Sequence, residues 1–175
     1  MNNRLMVLVF KFLIIIGLQI LVLNNIAFSG IINPYLYAYL ILILPIDLNQ
    51  NVVLFIGFLL GFVVDVFSQT MGMHIMATTA MAFSRPYILK YMAPRDGYEA
   101  SQSVSLHSFG WLWMATFSGI LILIHHLFLF SIEHFRMSGV LFTVGKALVS
   151  GFFTVILIFI TELLFNKLPK RGGAS

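Results

Sequence analysis

From Val104 to Phe130 the chain carries no Asp, Glu, Lys or Arg. As a helix, that run would be about 40 Å long, more than the ~30 Å hydrocarbon core of a bilayer. It is not alone: reading the charges as punctuation divides the 175 residues into six apolar spans, 5–28, 31–46, 52–67, 72–89, 104–130 and 138–165. The chain is 60% hydrophobic and 9% charged, whereas a soluble globular chain averages about 45–50% and 25%. Apolar surface in that excess does not fit inside one small domain, so lipid must cover the rest. Disorder is excluded, since its signature is polar and charge-rich. Strand-type alternation is absent, which argues against a membrane barrel. The expectation is an all-α integral membrane protein, a six-transmembrane-helix bundle forming a single domain over 1–175.

Orientation follows from where Lys and Arg fall. With a cytoplasmic amino terminus, Arg4, Lys11, Arg85, Lys90, Arg95, Lys167, Lys170 and Arg171 lie inside, and Arg136 and Lys146 lie outside. Both termini are therefore expected in the cytoplasm, with a cytoplasmic loop at 90–103 and a basic cytoplasmic tail at 167–175. Tyr87, Tyr91, Trp111 and Trp113 are placed for the membrane interface. The first apolar stretch is too long for a signal peptide, and no small-x-small cleavage site follows it. Spans two to four are short, and Pro34 and Pro45 bracket the second, so one of them is expected to be tilted, broken or re-entrant. The ten basic residues are scattered between apolar blocks, which argues against nucleic acid as a partner. There are no cysteines, so disulfides and thiolate sites are excluded.

Ionisable groups at membrane depth cost at least about 2.5–3.5 kcal/mol, so each needs a partner or a role. Gly57, Gly61 and Asp65 are spaced four apart and fall on one helical stripe. Two glycines there admit a close neighbouring helix, with Asp65 at the end of the seam as a polar anchor, as a proton or ligand site, or as a residue that reaches interfacial water and caps the turn at Ser68-Gln69. His74, nine residues on, can pair with Asp65 across the turn that contains Gly72. The pair resembles a fragment of acid–base machinery, but no nucleophile accompanies it. Adjacent His125 and His126 point about 100° apart on a helix and do not form a metal-ligand pair. Arg85-Pro86 reads as a topological anchor at a helix end, and Lys146 and Glu162 read as side chains snorkelling to opposite interfaces. If Lys146 pairs within the bundle, Asp65 is the acid nearest in depth. No catalytic set, metal site or cofactor is expected.

Pro45 and Asp47 in LPID, the run GFLLGFVVDVFSQTMGMH from Gly57 to His74, Ala82-Phe83, Arg85-Pro86 and APRDGYE from Ala93 to Glu99 together resemble the MreD family of the bacterial rod-shape system, in the form found in Bacteroidota. The resemblance covers about a third of the chain by motif. It implies a fold similar to the substrate subunits of energy-coupling-factor transporters and an inner-membrane location. It also implies partnership with MreC, and with MreB, RodA and penicillin-binding protein 2, in organising peptidoglycan synthesis. Gly57, Gly61, Asp65 and Gly72 carry over as motif positions, none of them catalytic.

The expected function is thus a non-catalytic membrane scaffold. A transporter substrate subunit is the alternative. Such subunits dock through small residues spaced four apart on the first helix, and here Gly17 is flanked by Leu13 and Leu21, which disfavours it. If packing is the task, Gly61→Leu is expected to be severe and the nearly isosteric Asp65→Asn mild.

Overall fold

A computed structural model describes residues 3–25, 32–99, 102–133 and 139–165. His134, Arg136 and the tail at 167–175 lie outside the described residues, as do the ends of several expected spans. Five long helices dominate: α1 (Asn3–Leu21), α3 (Gln50–Ser68), α4 (Met73–Tyr91), α6 (Trp111–Glu133) and α7 (Val140–Phe165). The single turns α2 (Tyr39–Leu42) and α5 (Leu106–Phe109) complete the set. Helices α3, α6 and α7 are long and apolar enough to cross a membrane. The fold is therefore an all-helical bundle suited to a bilayer, with no strand among the described residues.

Local chemistry sets the ends. The Asn49 side chain accepts from the Asn51 N–H at 2.9 Å and caps α3, satisfying one of the orphan donors of a first turn. At the other end Gln69 adopts the left-handed conformation (φ 57°), and its N–H and that of Thr70 return to the Asp65 carbonyl. Gly72, at φ 87°, then swings the chain into α4. The resulting α3–α4 hairpin packs through α4 onto α6, and α6 packs onto α7. Large apolar side chains face outward on the outer helices, among them Phe10, Leu13 and Leu21 on α1 and Phe55, Phe58 and Phe62 on α3. Helix α4 is walled by α3 and α6, so it carries Thr78, Ser84 and Arg85 with less need for lipid-compatible residues.

The second expected span is the correction with most structural consequence. It is not a helix but a strap: an extended entry at Asn33-Pro34, a 3-10 turn at Leu36–Ala38, then the single turn α2. Every residue from Leu36 to Leu44 is at most 7% exposed, so the strap is the centre of the core. Sixteen residues would make only about 24 Å of α-helix, short of the hydrocarbon thickness. Buried non-helical backbone needs hydrogen bonds from the protein around it, and here they are supplied. Ser150 Oγ accepts from Asn33 N (3.1 Å), and Thr154 Oγ1 accepts from Tyr35 N (3.1 Å). Gln19 accepts from Tyr37 N and donates to the Pro34 carbonyl, each at 3.3 Å. At the far end Arg85 donates to the carbonyls of Leu42, Leu44 and Pro45. Beyond it Ile46 N bonds the Gln102 carbonyl at 3.1 Å, and Pro45 pairs with Ser103 as an isolated bridge.

Three further expectations change. Helix α4 does not end at Arg85-Pro86 but runs on to Tyr91 with Pro86 inside it. Proline has no N–H for the Ala82 carbonyl, and Gln50 Nε2 of α3 donates to that oxygen instead, at 3.3 Å. Trp113 is not simply interfacial, because its Nε1 donates to the Met92 carbonyl at 3.0 Å and its ring stacks on Phe109 at 4.2 Å. Finally, Arg85 and Lys146 are 2% and 5% exposed, so neither marks a membrane face. Removing one from each side leaves the orientation tally at seven against one.

Candidate functional site

The motif glycines make the seam they were expected to make. A Cβ on Gly61 would stand 2.5 Å from Ile75 Cα and 2.6 Å from the His74 carbonyl oxygen. One on Gly57 would stand 2.9 Å from Ala82 Cβ. The backbones of α3 and α4 are in direct contact at Gly61, and no side chain fits between them.

Asp65 ends that seam, 7% exposed rather than reaching water. Its Oδ1 accepts from Thr70 Oγ1 (2.6 Å), His74 Nδ1 (3.0 Å) and His74 N (3.1 Å), and Oδ2 accepts from Ile75 N (2.9 Å). Two of these donors belong to the first turn of α4. The carboxylate therefore neutralises the positive end of that helix from the end of the preceding one. Thr70 Oγ1 also lies 2.8 Å from His74 Nδ1. Hydroxyl and carboxylate thus share one imidazole nitrogen, whereas a nucleophile-activating relay sets them on opposite nitrogens. The arrangement is a buried cap. With Nδ1–H facing Asp65, His74 Nε2 carries a lone pair, and it has no hydrogen-bond partner among the described residues.

A second polar group, unforeseen in its connections, packs beside the first. His125 and His126 are fully buried in α6. Tyr37 OH meets His125 Nε2 at 2.8 Å, His126 Nδ1 meets the Ile122 carbonyl at 2.9 Å, and Thr154 Oγ1 meets His126 Nε2 at 3.2 Å. The Tyr35 ring stands edge-on to His74, centroids 5.2 Å apart, and 5.5 Å from His126. Strap, hairpin turn and α6 are joined through these rings. No group of three His, Asp or Glu suited to a metal ion occurs among the described residues.

Two buried charges resolve differently from expectation. Lys146 Nζ lies 2.9 Å from Glu133 Oε2, not near Asp65, and sits 4.4 Å over the Phe130 ring. Glu162, 1% exposed, does not snorkel: it accepts from Tyr39 OH on the strap and from Leu106 N at 3.2 Å. Of the expected site residues, Gly57, Gly61, Asp65, Gly72 and His74 are thus brought together. Arg85 and Pro86 lie more than three turns further along α4, at the strap's other end. In the connector beyond them, burial raises the Tyr98 hydroxyl above its ordinary range, and it donates to the Leu89 carbonyl at 2.7 Å.

Above Tyr35 and His74 a cleft of about 410 Å³ opens between the end of α1, the strap entry and the α3–α4 turn. Its polar lining is Asn24, Asn25, Asn33, Ser68, Gln69 and Thr70. Asn24 Nδ2 bonds Ser68 Oγ at 2.9 Å across it.

No protein-family model, curated protein or solved structure matches the chain.

Proposed function

We propose that this chain is a non-catalytic, MreD-type component of the bacterial cell-elongation machinery. In this reading it is a multi-pass inner-membrane protein that scaffolds peptidoglycan synthesis through MreC, in company with MreB, RodA and penicillin-binding protein 2. The five long helices and the strap supply its six crossings, and its fold is akin to that of energy-coupling-factor substrate subunits. One observation carries the reading. The residues on which the MreD resemblance rests, Gly57, Gly61, Asp65, Gly72, His74 and Arg85, are spent on internal construction, closing the hairpin and holding the strap. A motif used that way specifies a rigid body whose outer faces meet partners.

Purification in mild detergent tests it. Recovery of MreC-like and elongation-synthase partners is expected; recovery of an ATPase-linked transport module instead would sink it. That second outcome belongs to the competing reading, a transporter substrate subunit, which the polar cleft favours. Topology is checked separately. The chain has no cysteine, so single cysteines placed at Arg95 and Met71 are expected to label from the cytoplasm and the exterior respectively.

A further inference from the structure

The cleft above His74 has a lining whose chemistry narrows its occupant. Its volume of about 410 Å³ falls within the ~300–1,000 Å³ of ordinary ligand sites. No Asp, Glu, Lys or Arg belongs to the described lining. The nearest carboxylate, Asp65, already accepts from Thr70, His74 and Ile75. A cation finds no free counter-charge there and an anion finds none at all. What the cleft offers is carboxamides and hydroxyls, groups that both donate and accept, above the Tyr35 ring and the His74 imidazole.

Gln69 is an independent indication. It is the one non-glycine residue with positive φ among the described residues, at a helix end where glycine is the residue of least strain. Gln69 borders the cleft, and a side chain carried at the expense of backbone strain points to a use for it. Ile20, Leu23 and Phe67 form the apolar side of the same opening.

We propose that this cleft binds an uncharged, hydroxyl-rich group, a sugar or glycerol moiety whose hydroxyls exchange hydrogen bonds with Asn33 and Gln69. The chemistry is shared by a neutral glycolipid headgroup and a free saccharide, and it does not depend on the scaffold reading. Native mass spectrometry from phosphatidylcholine nanodiscs containing a monoglucosyl diacylglycerol addresses the first source. Titration with trehalose in a sugar-free detergent addresses the second. Gln69→Gly relieves backbone strain and so folds, and Asn33→Ala spares the backbone bond to Ser150; thermal melts verify both. Retention of the glucosyl lipid over phosphatidylglycerol, weakened about three- to tenfold in each variant as loss of one hydrogen bond gives, supports the site with a lipid source. Saturable trehalose binding weakened by the same variants supports it with a soluble one. Binding of neither probe, binding that both folded variants leave unchanged, or equal retention of the anionic lipid overturns it.

Discussion

At the scale of single residues, Asp65 is more demanding than its sequence context implies. Its two oxygens serve four donors, two of them backbone N–H groups of α4. Asparagine at this position keeps one acceptor and turns the other atom into an NH2 facing a donor. The near-isosteric change is therefore not mild: Asp65→Asn is expected to cost about 1–3 kcal/mol, the usual range for a buried group left unsatisfied. Denaturant unfolding in detergent checks this, and an unchanged midpoint would remove the cap from the account. The glycines grade themselves. At Gly61 an added methyl group meets backbone at 2.5 Å, which cannot move without separating the helices. At Gly57 it meets the Ala82 methyl at 2.9 Å and the Thr78 carbonyl oxygen at 3.2 Å, a smaller overlap that still requires the α4 backbone to give. Gly61→Ala is expected at the upper end of the ~1–3 kcal/mol of overpacking and Gly57→Ala at the lower, read as unfolding midpoints of the two variants side by side.

At the scale of elements, a proline inside a packed helix has been made tolerable by a neighbour. Gln50 supplies the donor that Pro86 withholds from the Ala82 carbonyl, so each residue gives the other its effect. Gln50→Ala is expected to cost about 0.5–1.5 kcal/mol in the native chain. In a Pro86→Ala background it should cost almost nothing, because the backbone N–H that alanine restores there reaches the same oxygen. A double-mutant cycle on unfolding free energy measures the difference as a coupling of about 1 kcal/mol, and additive single effects would mean the Gln50 contact is idle. The same level shows what could be read from residues in order. The glycine seam and the Asp65–His74 pairing were legible because each is local, set by four-residue spacing or a nine-residue turn. The strap was only half legible. Pro34, Pro45 and its shortness marked a broken segment, but LYAYLILIL has the composition of a helix, and only its distant partners say otherwise. Those partners did leave a trace. Lys146, Ser150, Thr154 and Glu162 share one four-residue register on α7 with Ile158, and all are buried. Read one at a time, two of them look like snorkelling charges; read as a stripe, they mark the face that clasps a polar backbone.

At the scale of the whole molecule, the strap makes the bundle a single object. α1 holds it through Gln19, α4 through Arg85, α6 through His125, and α7 through Ser150, Thr154 and Glu162. Helices facing lipid gain nothing from hydrophobic segregation, so packing and internal hydrogen bonds must hold them together. A central segment that asks four of the five long helices for a hydrogen bond supplies that cohesion. Arg85 is where the dependence is most concentrated. Its planar fork reaches three carbonyls that no helix satisfies, and the positive charge lies at the carboxyl end of α2, where a cation is favoured. Arg85→Met orphans the Leu42 and Leu44 carbonyls at about 1–3 kcal/mol each, while Pro45 keeps its bond from Leu48 N; the loss is a large part of an ordinary stability of ~5–15 kcal/mol. Arg85→Lys keeps the charge but loses the fork, so it is expected to fall between Met and the native residue. Unfolding midpoints in detergent, with tryptophan fluorescence reporting from α6 and a single probe placed on α3, should shift together in that order. Equal loss in Lys and Met would mean that geometry alone holds the strap. Non-coincident transitions would mean that the hairpin stands without it.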